Sequence, residues 1–273
     1  LFLYVLMDGI STFYAVSGKF ALYEFLKVLI GFSTALSLLA ISPVKEKMHG
    51  RFIAYILAAC AAIASLVSID LISTRFISNA VLGFLGLFTE DYVDIPSIEA
   101  GVRMNSMFTN PNVFAGFSGI GVLLSLGLAD TAEKKERILA DVLLFITAFA
   151  FVLAFSMGAS LFIVIGFLVF IALEPKEGKA GLLVLMIETL ILTVICAALA
   201  SATSFGNWTG VQPVPLACTV VGAAALAVMD RFVGSRIGNA LNHHRKVIPI
   251  TIGALVLLAG IYIVAAMNIT GAA

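Results

Sequence analysis

Chemistry is densest between residues 103 and 112. Arg103 stands seven residues ahead of Asn110-Pro111-Asn112, and an apolar run follows at once. Asn accepts hydrogen bonds well at a helix N-cap, and Pro suits the first helical position because it lacks an N–H and presets φ. A helix starting at Pro111 turns free N–H groups and the positive end of its dipole toward whatever lies ahead of it. A guanidinium folded back over that end makes a clamp for a pyrophosphate. The same residues also fit a plainer role, in which Asn-Pro-Asn only starts a helix and Arg103 snorkels to lipid headgroups. Local chemistry leaves both open.

Other polar residues offer less. Glu90, Asp91, Asp94 and Glu99 form an acidic cluster; one of them could activate a hydroxyl, or together they form a solvated loop face. Glu188 lies deep inside an apolar run. Such an acid serves proton or cation coupling, or sits protonated and hydrogen-bonded to a nearby Ser or Thr. Asp70 and Arg75 are placed to pair with each other, and Glu24 and Lys27 share one helix face at i, i+3. His243 and His244 are adjacent, so on a helix they point about 100° apart and chelate poorly. Cys60, Cys196 and Cys218 all sit in apolar runs with no Cys-x-x-Cys spacing, which predicts packing rather than a disulfide or a metal site.

Positioning these residues falls to membrane helices. Hydrophobic residues make up 61% of the 273, and Asp, Glu, Lys and Arg only 12%, where soluble domains carry about a quarter charged. Mean hydropathy is +1.11. A soluble globular enzyme and a disordered chain are both excluded. Sixteen basic residues are cancelled by sixteen acidic ones, so no basic face is left for nucleic acid. Long unbroken apolar runs exclude a transmembrane β-barrel. The expected fold is all-α: a polytopic transmembrane helix bundle, one membrane-embedded domain over 1–273. About eight complete spans are expected, at 21–42, 52–74, 111–130, 139–156, 158–174, 181–204, 216–234 and 248–268. The seven apolar residues at the start read as the end of a truncated helix, and the chain as truncated at both ends.

Twelve of the sixteen Lys and Arg fall in the connections at 45–51, 134–137, 176–179 and 231–246. The positive-inside rule assigns these to the cytoplasm. Arg103 then faces outward, within an external loop segment at 75–110. A tight turn within 156–160, at Gly158, is needed to keep every later basic loop on the cytoplasmic side.

Arg103 followed by Phe108-Thr109-Asn110-Pro111-Asn112-Val113-Phe114-Ala115-Gly116, at the outer start of a membrane helix, resembles the signature of the O-antigen ligase and O-antigen polymerase family of bacterial membrane glycosyltransferases. Members show an Arg, then a Gly-aromatic-x-Asn-Pro-Asn run and an apolar helix. Two helices later they often show a Ser-Arg-Gly-Ala turn. This chain has Ser156-Met157-Gly158-Ala159 there, with Met157 in place of the Arg. The resemblance covers about residues 100–175.

What the resemblance implies is a metal-independent, cofactor-free, multi-pass enzyme of the bacterial cytoplasmic (inner) membrane. It would take a glycan from a polyprenyl-diphosphate carrier on the outer face and pass it to a lipid, glycan or protein acceptor. Carried over, Arg103 is the catalytic residue that holds the diphosphate and offsets charge on the leaving group. Thr109, Asn110, Asn112 and Ser156 shape the substrate pocket. Relatives activate the acceptor with a His or acidic residue on a large external loop; here His49, His243 and His244 fall in cytoplasmic connections, and that loop would follow the span at 248–268. The rival expectations are a multi-helix transporter or flippase using Glu188, and a catalytically inactive membrane subunit.

Overall fold

The structure, a computed structural model, describes residues 9–10, 25, 47–86, 98–99, 103–104, 106, 108, 110–175, 178–204, 212–234 and 237. Contacts gather the chain into two compact units, Leu1–Ile53 and Ala54–Ala273. Apart from the first residues of α1, every element below lies in the second. In order they are α1 (Lys47–Leu71), α2 (Phe76–Gly86), β1 (Ile98–Glu99), β2 (Arg103–Met104), α3 (Pro111–Thr131), α4 (Lys134–Leu153), α5 (Met157–Leu173), α6 (Lys179–Ser204) and α7 (Val214–Met229). A π-helical turn at Asp230–Gly234 extends α7.

The chain is mostly helical, as expected. Four helical stretches among the described residues are long and apolar enough to cross a membrane: Gly50–Leu71, Pro111–Thr131, Lys179–Thr203 and Val214–Gly234. The expected spans at 139–156 and 158–174 are also helices. However, α4 carries Lys134, Lys135, Glu136, Arg137 and Asp141 in its first turns, and α5 is apolar but only 17 residues long. Six of the eight expected spans thus fall on described residues, four of full length and polarity and these two. The spans expected at 21–42 and 248–268, and the truncated first helix, fall outside the described residues.

The segment 75–110, expected as a loop, is partly ordered. Asp70 accepts from Ser78 N at 2.7 Å at the start of α2, and β1 pairs antiparallel with β2, Ile98 opposite Met104 and Glu99 opposite Arg103.

Helix α4 is the hub, packed against α3, α6 and α7, while α5 packs on α3. Phe145, Phe149 and Leu153 of α4 are fully buried, and the rings of Phe145 and Phe149 stack at 5.8 Å. Small residues allow the close approach that membrane bundles use in place of a hydrophobic drive. A Cβ on Gly121 of α3 would lie 2.6 Å from Ala61 Cβ, and one on Gly222 of α7 would lie 2.0 Å from Phe145 Cζ. Several buried hydroxyls bond back within their own helix, Thr147 to Leu143 O at 2.8 Å and Thr219 to Pro215 O at 2.9 Å, which meets their polar groups inside an apolar surround. Outward faces of α5, α6 and α7 stay apolar, with Leu161, Ile165, Val169, Ile195, Leu199 and Val221 exposed, a surface compatible with lipid.

Contacts fix which helix ends share a side. Tyr55, early in α1, donates to Glu136 O, early in α4, at 3.5 Å. Ser73, after α1, donates to Gln212 O, ahead of α7, at 2.5 Å. The amino ends of α3, α5 and α7 thus gather at one end with the carboxyl ends of α1 and α4. The basic positions 134–137, 179 and 231 gather at the other.

Candidate functional site

Arg103 is held in place from both sides. Period-two alternation on β2 buries Met104 completely while Arg103 stays partly exposed. Farther along, Phe108 packs its ring on Phe114 and Phe117 of α3, at 6.2 and 5.2 Å. The guanidinium then reaches two helix ends. Its Nη2 donates to Asn112 Oδ1 at 2.7 Å and its Nε to the carbonyl of Ala154 at 3.3 Å. That carbonyl lies at the carboxyl end of α4, where a cation complements the helix dipole. Arg103 therefore ties the start of α3 to the end of α4.

The chain turns sharply between α4 and α5. Phe155 adopts φ +45°, in the left-handed region where Gly usually ends a helix. Ser156 follows as the N-cap of α5, its Oγ accepting from Ala159 N at 3.4 Å. The tight turn expected at Gly158 sits at Ala154–Phe155 instead, and Gly158 lies in the first turn of α5. A serine able to cap outweighs a glycine able to bend, because an uncapped amino end leaves N–H groups unmet.

Arg103, Asn112, Gly116, Phe155, Ser156, Met157, Gly158 and Ala159 line one cavity of about 520 Å³. Among the described residues no acceptor meets the N–H groups of Met157 and Gly158, the first two of α5. A Cβ placed on Gly116 or Gly158 would touch nothing within 4 Å. The cavity thus combines a guanidinium, an amide side chain and a helix amino end, donors that suit a phosphate-like anion.

Three of the five residues expected to bind substrate meet here: Arg103, Asn112 and Ser156. Asn110 does not line the cavity. Its Oδ1 caps α3, as its chemistry predicts, by accepting from Asn112 N at 2.9 Å and Val113 N at 3.3 Å, so that oxygen is committed to the helix. Capping also removes the free N–H groups expected at the mouth of α3, and the available amino end belongs to α5 instead. Thr109 falls outside the described residues, as do Glu90, Asp91, Asp94, His243 and His244.

Asp70 caps rather than pairs through its carboxylate. It accepts from the Thr74 hydroxyl and, at 2.7 Å, from Ser78 N, while Arg75 Nε donates to Leu71 O at 3.2 Å. Cys60, Cys196 and Cys218 are free thiols, and Cys196 Sγ donates weakly to Cys218 O at 3.8 Å.

A second polar cluster joins α4, α6 and the π turn at the opposite end of the bundle. Arg137 binds Asp230 through two hydrogen bonds, at 2.5 and 2.7 Å. Asp141 and Glu188 are buried nearby. The Ser or Thr partner expected for Glu188 is absent among the described residues, and neither of its oxygens meets a hydrogen-bond donor there. By sequence Arg137 falls in a basic connection and Asp230 inside the expected span at 216–234. A charge in each of three separate runs was the available signal, but nothing in their spacing says that the runs meet.

Comparison with protein-family models, with curated proteins and with solved structures gave no match.

Proposed function

We propose that the Arg103 cavity holds the diphosphate of a polyprenyl-linked glycan, and that the chain transfers this glycan to an acceptor at the outer face of a bacterial cytoplasmic membrane. The observation that carries the reading is the meeting of Arg103, Asn112 and the amino end of α5 around one cavity at the end of a helix bundle. The resemblance of 103–116 to the O-antigen ligase and polymerase signature adds the class of substrate. In such a transfer an acceptor hydroxyl attacks the anomeric carbon, and the bond from that carbon to the diphosphate oxygen breaks. Negative charge grows on the departing diphosphate. Arg103 and the N–H groups of Met157 and Gly158 are placed to offset it, and loss of one such donor typically lowers rate about 10²–10³-fold. The apolar helix faces beside the cavity suit a prenyl chain lying in lipid.

The test is transfer from a polyprenyl-diphosphate donor in membranes carrying the full chain. Arg103→Ala is expected to abolish transfer while insertion is unchanged; undiminished transfer rejects the proposal, as does labelling of Arg103→Cys only from the cytosolic side. A transporter or flippase is the second reading, favoured by Glu188, whose oxygens meet no hydrogen-bond donor among the described residues. It requires flux that depends on Glu188 and on an ion gradient.

A further inference from the structure

The buried interior at the end of the bundle away from the Arg103 cavity holds more acid than base, with Asp141, Glu188 and Asp230 set around Arg137. Arg137 and Asp230 form a neutral unit, bonded through both carboxylate oxygens across 93 positions of sequence. Two further carboxyls share the same interior. Glu188 is 5% exposed and Asp141 1% exposed. Both oxygens of Glu188 and Oδ1 of Asp141 lack any hydrogen-bond partner among the described residues. Glu188 is aimed at the π turn, where a Cβ on Gly234 would lie 3.2 Å from Glu188 Oε2 and 3.2 Å from Asp230 Oδ1. Single π-helical turns recur at functional sites, and this one brings Asp230 to Arg137.

The charged groups around this interior come from every helix packed on α6. Arg137 and Asp141 project from α4 and Asp230 from the π turn. The carboxyls of Asp130, at the end of α3, and Glu174, after α5, lie near enough to repel each other, and Lys179 at the start of α6 attracts Glu174. Arg231 is exposed, its guanidinium 5.8 Å from the Phe232 ring centroid. An ionised carboxylate buried without donor or cation is far costlier than the neutral acid.

We propose that Glu188 and Asp141, set around the Arg137–Asp230 pair, form a proton-binding site inside the helix bundle. A proton needs one oxygen, whereas no group of three or more acidic, His or Cys side chains among the described residues converges to hold a metal ion. With protons bound, Arg137 is matched by Asp230 alone. When Glu188 or Asp141 releases its proton, a second carboxylate competes for the same guanidinium, and the contact that ties α4 to the end of α7 weakens. The site is independent of the glycan reading, since none of its residues touches the Arg103 cavity.

The test is infrared spectroscopy of the full chain in lipid nanodiscs. At neutral pH the wild type is expected to show the C=O stretch of a protonated carboxylic acid, shifted by exchange into D₂O. Glu188→Gln and Asp141→Asn, both nearly isosteric, are each expected to reduce that band, and an alkaline titration to remove it reversibly. A wild-type spectrum without the band overturns the proposal, as does a band that both variants leave at full strength. Loss of the band when sodium replaces potassium at constant pH assigns the site to sodium and also overturns it. The wild-type measurement stands even if a variant fails to fold.

Discussion

The same substitution, Gly to Ala, should have opposite consequences at two positions. At Gly158 the new methyl would meet nothing within 4 Å, and Ala forms helix better than Gly by up to about 1 kcal/mol. At Gly222 the methyl would lie 2.0, 2.5 and 2.7 Å from three atoms of the Phe145 ring. That ring is fully buried and stacked on Phe149, so it cannot swing away without displacing its neighbours. Overpacking of this kind costs about 1–3 kcal/mol. For a chain of this size each kcal/mol moves Tm by roughly 2–4 °C. Gly158→Ala should hold or raise Tm, while Gly222→Ala should lower it by roughly 2–12 °C. Thermal unfolding in detergent micelles, followed by far-ultraviolet circular dichroism, reads both. Gly158→Leu then extends the test to function, because its side chain enters the cavity beside Arg103. It should unfold near the wild-type temperature yet bind a short-chain prenyl diphosphate about 10–100-fold more weakly, the equivalent of one or two lost charge-assisted hydrogen bonds. Arg103→Ala cannot separate the two effects as cleanly, since Arg103 also braces α3 against α4. Unchanged diphosphate affinity in a folded Gly158→Leu would refute the assignment of the cavity, and an unaltered Tm in Gly222→Ala would refute the packing of α7 on α4.

Asn110→Ala removes the acceptor for two N–H groups of α3 and should cost about 1 kcal/mol, with transfer falling no further than stability accounts for; a catalytic loss far beyond that would restore Asn110 to the site. Breaking the Arg137–Asp230 pair should cost about 3–5 kcal/mol at most. The loss should be larger for Arg137→Ala, which strands an Asp230 that is 4% exposed, than for Asp230→Ala, which strands an Arg137 that is 36% exposed. Equal urea-free melting shifts for the two would contradict this asymmetry. Glu174 supplies a pH test: burial, and then the charge of Asp130, raise its carboxyl above the ordinary 4.5. The folded state therefore keeps this proton longer than the unfolded chain does, so the contribution is full below about pH 4.5 and is lost as pH rises through the raised value. Glu174→Gln should gain Tm relative to wild type only above that pH, and a difference constant with pH would dismiss the effect.

The residues that the sequence could name were those whose work is local. Asn110 and Pro111 start α3 as their chemistry dictates, because a cap acts on N–H groups two and three residues away. Apolar runs of about twenty residues gave the long helices, since a span answers to its own composition. Arg103 was found because it precedes that cap. Where two local rules competed, the sequence was ambiguous: Ser156 and Gly158 each mark a break between α4 and α5, and capping decided it. In 75–110, the polar residues from Glu90 onward mark a loop, while 76–88 is apolar and short, and α2 forms there.

By itself, then, the sequence determined an all-helical chain with apolar stretches of membrane length, a capped helix at Pro111, and the candidacy of Arg103. Only the tertiary structure decided that Arg103 bonds to Ala154, 51 residues away, that the open amino end beside it belongs to α5 and not to α3, and that Arg137, Asp141, Glu188 and Asp230 share one interior. The reason is physical. Caps and spans depend on neighbours within a turn or two, whereas the partner of a guanidinium or a buried carboxylate depends on which helix faces meet. That choice is made by close fits such as Gly121 on Ala61 and Gly222 on Phe145, which leave no periodic trace along the chain.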